Sequence, residues 1–376
     1  MVAALVFSMM ALTTTDQTVN VTKGTKLEVN NFAGDVNVKA WDRDAVRVEV
    51  HHSDRETVEI RQDEGVLRVR GRSTRGGPPR SLDYTISVPG WMAVSVSGTY
   101  ADTTLEGVGG DVSVDTTRGD IKVRGGSGFV SLKSVQGEIT LEKAKGKIEI
   151  RGVNESIRLA DINGDVSAET TNGSIILDRV DSGNVDLYTV NGNISYDGPI
   201  KDKGVYRLTT HNGTIALPVP EKVNATIAAR TYNGSIRSSF PLPASDTGSS
   251  DHRNRRLSLT LGNGSAHVEL ESFGGTIALR RPGEARPEIE RRRRDRDDDA
   301  DKAKEKAREK GKEIGQAFGR VDIDVDRIDA EVARALAGAQ PAIDAAIAES
   351  IDAVASVMPV APVRPLPRPM PRPQPR

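Results

Sequence analysis

Four carboxylates in this chain occupy equivalent places, because each one directly follows a glycine. They are Asp111, Asp120, Glu138 and Asp165. Two carboxylates that flank a glycosidic bond are the usual apparatus for cleaving polysaccharides, so such a row would favour carbohydrate chemistry if its members met at one point. Other copies of the same place carry Asn or Ser, so the place does not demand a carboxylate. We therefore interpret the row as solvated polar residues on an outer face.

The histidines offer neither a metal site nor a catalytic pair. His51 and His52 are adjacent in a segment of strand alternation, so their side chains point to opposite faces. His211, His252 and His267 have no partner at metal-ligand spacing. The 376 residues include no cysteine, which excludes thiolate metal sites and disulfides. We expect no catalytic residue, no metal and no cofactor, and hence a protein that is not an enzyme.

The elements that position these residues form a repeat of about nine residues. Gly173 is followed by apolar residues at Ile175, Leu177 and Val180, and the alternation over the first two has the period of a strand. The glycine, often preceded by Asn, is expected to supply the positive φ of a tight corner. Each unit is therefore one short strand and one turn. Glycines with this spacing stand at positions 110, 119, 128, 137, 146, 164, 173, 183 and 192.

A second, longer period combines two of these units. Thr or Ser recurs three residues before the glycine, mostly at steps of 18 to 21 residues. One such coil cannot bury its Ile, Val and Leu residues alone, so the coils must stack. We predict an all-β parallel β-solenoid, built from ~9-residue strand–turn units with ~18–21 residues per coil, and with ladders of Thr hydroxyls and Asn amides along its edges. The turn motifs are Asn172, Gly173, Asn191, Gly192, Asn212, Gly213, Asn233 and Gly234.

Changes in composition divide the chain into six predicted segments. They are a signal peptide at 1–16, a β-rich N-terminal cap or set of first coils at 17–100, the β-solenoid at 101–281, a charged linker or helix at 282–322, an amphipathic helical segment at 323–358, and a disordered Pro/Arg-rich tail at 359–376. The first segment is apolar, too short to span a bilayer and without a basic start. We expect it to direct export, and a buried first strand is the alternative. No other segment is a candidate transmembrane span.

The segments after residue 281 carry most of the clustered charge. Aspartates neutralise the arginine run at 291–294 at once, and the formal net charge is −1, so no nucleic acid is expected as a partner. The helical segment has a narrow apolar stripe that suits docking on the solenoid or self-association as a coiled coil. The tail is either plainly disordered or a tether to an anionic polymer or lipid surface. The tether residues would be Arg364, Arg368, Arg372 and Arg376.

Three groups of residues, in this order, carry a resemblance to a known family. They are NNFAGDVNVKAWDRDAVRVEV at 30–50, YTISVPG at 84–90, and the repeated TTNGSIIL and TVNGNISY phrases. With them, residues from about 20 to 280 resemble the bacterial "putative adhesin" domain of unknown function, a β-strand-repeat family of cell-envelope proteins. The resemblance implies an exported, envelope-associated protein, and it brings no catalytic residues with it.

We therefore predict a non-enzymatic, extracytoplasmic β-solenoid that acts as an adhesin-like or cell-envelope scaffold module, located in the periplasm, the envelope or on the cell surface. Its partner would be an envelope polymer, a glycan or an envelope protein. One alternative is a bactofilin-like cytoskeletal polymer, in which solenoids with proline-rich flanks stack end to end. A second is a carbohydrate-active β-helix enzyme, which would need a clustered set of acids and bases.

Overall fold

The computed structural model describes residues 13–79, 81–242, 247–248 and 255–284. These residues lie within the first of two units into which the chain divides, Met1–Arg286. Every regular element among them is a β-strand, so the predicted all-β class is confirmed. In this part of the chain no helix exists that has the length and apolar character to cross a membrane. The predicted helical segment, the tail and nearly all of the charged linker lie outside the described residues.

The described residues contain 26 strands. The first thirteen are β1 (Thr13–Asn20), β2 (Lys26–Ala33), β3 (Val36–Trp41), β4 (Ala45–His52), β5 (Glu56–Asp63), β6 (Val66–Ser73), β7 (Asp83–Pro89), β8 (Ala93–Tyr100), β9 (Thr103–Glu106), β10 (Val112–Arg118), β11 (Ile121–Arg124), β12 (Ser127–Gln136) and β13 (Ile139–Glu142). The others are β14 (Lys145–Gly152), β15 (Ile157–Thr170), β16 (Ile175–Asp181), β17 (Asn184–Asn191), β18 (Ile194–Tyr196), β19 (Val205–Asn212), β20 (Ile215–Pro218), β21 (Ala225–Thr231), β22 (Ser235–Ser238), β23 (Thr247–Gly248), β24 (Arg255–Leu261), β25 (Ala266–Ser272) and β26 (Thr276–Arg280).

These strands form one hydrogen-bonded sheet of mixed orientation, arranged as two rows that share the long strand β15. The first row runs β5-β6-β2-β8-β10-β12-β14-β15-β17-β19-β25-β21-β24-β23. The second runs β1-β4-β7-β3-β9-β11-β13-β15-β16-β18-β20-β26-β22. Because alternate strands of the chain enter alternate rows, two strand–turn units separate each strand from its partner.

The apolar residues of each strand stack on those of its partners. Val112 pairs with Val130, and Val130 pairs with Ile148, at a step of 18 residues. Later pairs lengthen the step, since Val185 pairs with Tyr206. All five side chains are fully or almost fully buried. Since burying an aliphatic side chain is worth about 1.5–3 kcal/mol, these stacked columns are the main source of stability, and their register matches the predicted coil length.

Sequence order is not spatial order at the C-terminal end of the repeats. The recurrence of Thr210 and Thr231 predicts that their coils are direct neighbours, but this expectation is wrong. Strand β25 lies between β19 and β21 in the first row, and its Ser272 pairs with both threonines. In the second row β26 likewise lies between β20 and β22. The chain therefore leaves one place open and fills it about 60 residues later.

The sheet is not wholly parallel, which corrects the simplest form of the prediction. Five strand pairs are antiparallel, namely β1–β4, β4–β7, β5–β6, β21–β24 and β23–β24. All of them lie at the ends of the two rows. An antiparallel strand places a hairpin at a sheet edge, which is a common way of blocking edge-to-edge association.

The corners of the coils use two kinds of backbone. One corner carries non-glycine residues in the left-handed region, at Lys143, Asp161 and Arg179, which follow one another at intervals of 18 residues. Arg179 bonds Asp161 on the neighbouring coil with two hydrogen bonds of 2.6 and 3.1 Å. This hydrogen-bonded guanidinium holds the pKa of the Asp161 carboxyl below its ordinary value. The strained corner is therefore tied across coils by charged side chains.

Strand β1 overlaps the end of the predicted signal peptide. Thr13 to Asp16, the last four residues of segment 1–16, pair with β4 in antiparallel register. Asp16 also forms a 2.7 Å ion pair with Arg47. Residues 1–12, the apolar run itself, lie outside the described residues. A cleavage site at residue 16 would remove half of a paired strand, so a boundary before Thr13 fits the fold better.

Candidate functional site

The Asn-Gly turn motifs lie together along one corner of the coils. Asn172 donates its amide to Asn154 at 3.1 Å, Asn191 donates to Asn172 at 2.9 Å, and Asn212 donates to Asn191 at 3.0 Å. These bonds are the predicted amide ladder. Asn233 does not continue it, because the intervening coil places Gly274 next to Asn212. The ladder ties successive coils together, so its role is structural.

The glycines of these motifs are required for a reason other than the predicted one. None of Gly173, Gly192, Gly213 and Gly234 has a φ in the left-handed region. Instead, a Cβ at each would lie 1.7–2.1 Å from a carbonyl oxygen of the neighbouring coil. The expectation of a positive φ at these corners was wrong, because stacking brings one backbone directly onto the next and leaves no room for a side chain.

A buried hydroxyl completes each of these corners. Thr189 donates to the carbonyl of Gly173, and Thr210 donates to that of Gly192, both at 2.9 Å. Ser272 donates in the same way to Gly213 at 3.2 Å. The predicted hydroxyls therefore form a row, but each one bonds the main chain of the preceding coil and not another hydroxyl. A buried carbonyl without a donor is costly, which explains why Thr or Ser recurs three residues before the glycine.

The amide ladder leads to a stability prediction. Asn191→Ala removes one donor and one acceptor from the middle of the ladder. Because both bonds are exposed to water, we expect the free energy of unfolding to fall by about 1 kcal/mol. Asn184→Ala on the same strand is the control, since that side chain forms no hydrogen bond among the described residues. Urea unfolding midpoints of both variants give the answer, and equal values would contradict the ladder's contribution.

The carboxylates that follow glycines do not converge. Asp120 accepts the amide hydrogen of Glu138 at 2.9 Å, and Asp111 accepts that of Phe129 at the same distance. Asp165 is exposed. Two of these carboxylates therefore extend the main-chain hydrogen bonding from coil to coil, which refines the interpretation of a merely solvated row. The two adjacent histidines point to opposite faces as predicted, since His51 is exposed and His52 is 6% exposed.

The most pronounced concave surface lies outside the repeats, at the C-terminal ends of β2 and β6. We call it the arginine groove. It has a volume of about 490 Å³, within the range of typical ligand sites. The loop that follows β6 forms its far wall. The lining residues are Asn30, Phe32, Arg70, Gly71, Arg72, Ser73, Gly77, Pro78 and Pro79.

The strand register explains why arginines collect in this groove. Side chains of β6 alternate between the core and the surface, so Arg68, Arg70 and Arg72 all face outwards while Leu67 and Val69 are buried. The parallel pairing places Arg70 beside Asn30 of β2, and the ring of Phe32 follows two residues later on the same face. The sequence alone offers the alternation of β6, but not the strand beside it.

The acidic residues near the groove are already paired with other cations. Glu28 bonds Arg68 at 3.2 Å, and Glu59 bonds Arg72 at 2.6 Å and also Arg61. Among the described residues, Arg70 has no such partner although Glu59 is opposite it in the register. One guanidinium in the lining is therefore free to bind an anion.

A second, smaller cleft lies on the same outward face, at the other end of β2. Its volume is about 130 Å³. Ser95 and Ser113 form part of its floor, Lys26 stands at one side and Phe129 at the other. Lys147 approaches the ring of Phe129 at 5.8 Å from the ring centre, and the cleft also reaches this ring. Phe129 is 40% exposed.

The remaining site prediction falls outside this surface. The proposed tether residues Arg364, Arg368, Arg372 and Arg376 lie outside the described residues, so their role stays a prediction. Among the residues that the structure does describe, no group of three or more His, Asp or Glu side chains is placed to hold a metal ion. The arginine groove was missed from the sequence because strand β6 and the loop after it carry no repeat.

Comparison with known proteins gives one extended family match. The family model described as Toastrack DUF4097 matches residues 24–280, and no curated protein matches the chain. Among solved structures, the chain is similar to a "putative adhesin" from Bacteroides fragilis, which is 10% identical over 72% of this chain and 98% of that chain with a TM-score of 0.32. A "putative adhesin" from Parabacteroides distasonis is 11% identical over the same shares, also with a TM-score of 0.32. A "putative cell adhesion protein" from Clostridium sporogenes is 9% identical over 72% of this chain and all of that chain, with a TM-score of 0.21.

The family match covers the same part of the chain that carries the resemblance drawn from the sequence, and it includes both the arginine groove and the amide ladder. Because the model spans more than half of the chain, this protein belongs to the Toastrack family (DUF4097), the bacterial "putative adhesin" domain family of unknown function.

Proposed function

We propose that this chain is a non-enzymatic binding module of the cell envelope, in which a β-solenoid presents the arginine groove to a polymer or protein outside the cytoplasm. The observation that carries the proposal is the groove itself, a concave surface with convergent polar groups and an unpaired Arg70. The solenoid interpretation draws support from the two rows of stacked parallel strands and their 18-residue register.

The chemistry of the surface favours binding over catalysis. The two best candidates for acid–base work, Asp111 and Asp120, each accept a main-chain hydrogen bond from the next coil. An acid or base that acts on a substrate must be free to exchange a proton with it. The groove supplies cations, an amide, a hydroxyl and an aromatic ring, which are groups that hold a ligand in place.

The ends of the rows weigh against a bactofilin-like polymer. Antiparallel strands occupy both ends of the first row and the β1 end of the second. A solenoid that grows by stacking needs parallel edges that accept the next copy. Only the β22 end of the second row offers a parallel pair at its edge among the described strands, so end-to-end assembly is the less favoured alternative.

The rest of the chain is assigned by proposal. We infer that the apolar residues 1–12 direct export and that the leader ends before β1. The helical segment at 323–358 would allow self-association, and the Pro/Arg tail at 359–376 would tether the module to an anionic surface. In this arrangement the linker at 282–322 separates the binding domain from its anchoring segments.

Localisation tests the proposal directly. A C-terminal epitope tag in the native host, followed by cell fractionation and protease shaving of intact cells, is expected to place the protein in the periplasm, in the envelope or on the surface. A variant that lacks residues 2–12 keeps β1 intact and is expected to stay in the cytoplasm. If the unaltered protein is confined to the cytoplasm, the envelope proposal fails and filament formation becomes the property to examine.

A further inference from the structure

We propose that the arginine groove binds an anionic polysaccharide, with Arg70 pairing with the acidic group of one sugar and the Phe32 ring lying against the sugar beside it. This inference rests on the proposed function, because it names the class of ligand that the binding module takes.

The unpaired guanidinium selects for an acidic group. Arginine presents a planar fork of donors that matches carboxylate, sulfate and phosphate oxygens. Arg68 and Arg72 flank Arg70 on the same strand, and their carboxylate partners Glu28 and Glu59 are held at 3.2 and 2.6 Å. Both neighbours therefore retain their own counter-charges, and the central arginine is the one that lacks an internal anion.

The other lining groups favour a carbohydrate. Asn30 and Ser73 offer amide and hydroxyl groups to sugar hydroxyls, and both lie in the groove with Arg70. Phe32 offers an apolar surface for the C–H groups of a sugar ring. Its own neighbour Tyr100 meets it edge to face, with 5.7 Å between the ring centres and an interplanar angle of 67°. This contact orients the Phe32 ring without a parallel stack over its face.

The position of the second cleft favours a chain over a single sugar. Lys26 lines that cleft and Phe32 lines the groove, and both stand on the outward face of β2. Six residues of extended strand separate them by roughly 20 Å, which accommodates several linked sugars. Between the two ends, the adjoining strand β8 presents small side chains at Ala93 and Ser95. An extended chain can therefore lie along β2 with an aromatic ring near each end, Phe129 at one and Phe32 at the other.

Nucleic acid fits these observations less well. Its binding depends on many phosphate contacts from clustered cations, whereas two of the three arginines on this strand are neutralised by their own partners. The formal charge of the whole chain is −1. One free cation among sugar-binding groups suits a polymer whose acidic groups are spaced by whole sugar rings.

The test measures binding of the full chain to defined oligosaccharides by titration calorimetry. The probes are a polygalacturonate oligomer, a dextran sulfate oligomer of similar length, and unmodified dextran as the neutral reference. We expect the acidic probes to bind more tightly than dextran and to weaken as salt is added. Preference for the uronate or for the sulfate identifies the acidic group, and binding of either supports the proposal. Failure of both to bind better than dextran would overturn it.

Variants assign the binding to the groove. Arg70→Gln is expected to weaken binding of the acidic probe tenfold or more. Arg207→Gln is the matched control, since it removes the same charge from the same outward face at β19, and it should change affinity less than twofold. Phe32→Leu, which keeps an apolar side chain, should weaken binding with no loss of the salt dependence. Equal effects of Arg70→Gln and Arg207→Gln would refute a specific groove, as would tight binding of an oligonucleotide that also depends on Arg70.

A second measurement separates this inference from the proposed function. The protein and its Arg70→Gln variant are mixed with isolated cell envelopes of the native host and sedimented. If both sediment with the envelopes but no acidic oligosaccharide binds, the ligand class is wrong and the binding module stands. If neither sediments, the proposed function fails as well. Thermal unfolding of each variant confirms that its fold is retained.

Discussion

Gly192→Ala is expected to lower the free energy of unfolding by about 3–5 kcal/mol or to prevent folding, as is typical when a core position is overpacked. A Cβ at this position would lie 1.8 Å from the carbonyl oxygen of Gly173 and 2.5 Å from its carbon. Both atoms belong to the backbone, so no rotation of a side chain relieves the clash. The coils would have to separate, and the bond from Thr189 to that carbonyl would be lost with them.

Gly183→Ala is the matched control for this prediction. Gly183 belongs to the same run of glycines, but a Cβ there would meet no atom within 4 Å and its φ is outside the left-handed region. We expect a change within about 0.5 kcal/mol. Urea unfolding followed by circular dichroism measures both variants. Similar losses at the two glycines would show that backbone flexibility, and not the close approach of the coils, determines the requirement for glycine.

Leu208→Ala is expected to cost about 2–5 kcal/mol of unfolding free energy, because it leaves a cavity in a close-packed column. Leu208 is fully buried. It stacks between Leu187 of one neighbouring coil and Leu270 of the other. A void at this level affects the contacts of both neighbours, since a stack of coils has no other layer that can close over it.

The control lies on the same strand at the opposite face. Val205 is 45% exposed, so Val205→Ala should change stability by about 0.5 kcal/mol or less. Comparing the two also tests the register of β19, because a shift of one residue would exchange the buried and exposed faces. If Val205→Ala were the more costly change, the register described for this strand would be wrong. Chemical denaturation of both variants under identical conditions provides the measurement.

The arginine groove shows why a site of this kind escapes sequence analysis. Its chemistry depends on Arg70 being beside Asn30 and on Glu59 being engaged by Arg72. These residues are up to about 40 positions apart, and none belongs to the repeat that dominates the sequence. Alternation predicts that Arg70 faces outwards, but neither its neighbours nor its lack of a counter-charge can be obtained from period alone.

The corners show a similar division between local pattern and tertiary contact. Recurring Asn-Gly pairs predict an amide ladder, and Asn172, Asn191 and Asn212 form it. The same pattern suggests a left-handed glycine, which the structure does not have at Gly192. A glycine that permits an unusual φ and one that permits close approach are identical in sequence. Only the position of the neighbouring coil distinguishes them.

The sequence by itself determined the all-β class, the residues that face the core and the length of each coil. These properties follow from alternation and spacing, which act within a single strand–turn unit and its immediate successor. Only the tertiary structure decided which coil stacks on which, where β25 enters between β19 and β21, and where antiparallel strands end the rows. Strand pairing is a contact between backbones that look alike, so a sequence of near-identical units cannot specify its own order. The choice among partners is made by how well the buried faces and corners fit once the chain is folded.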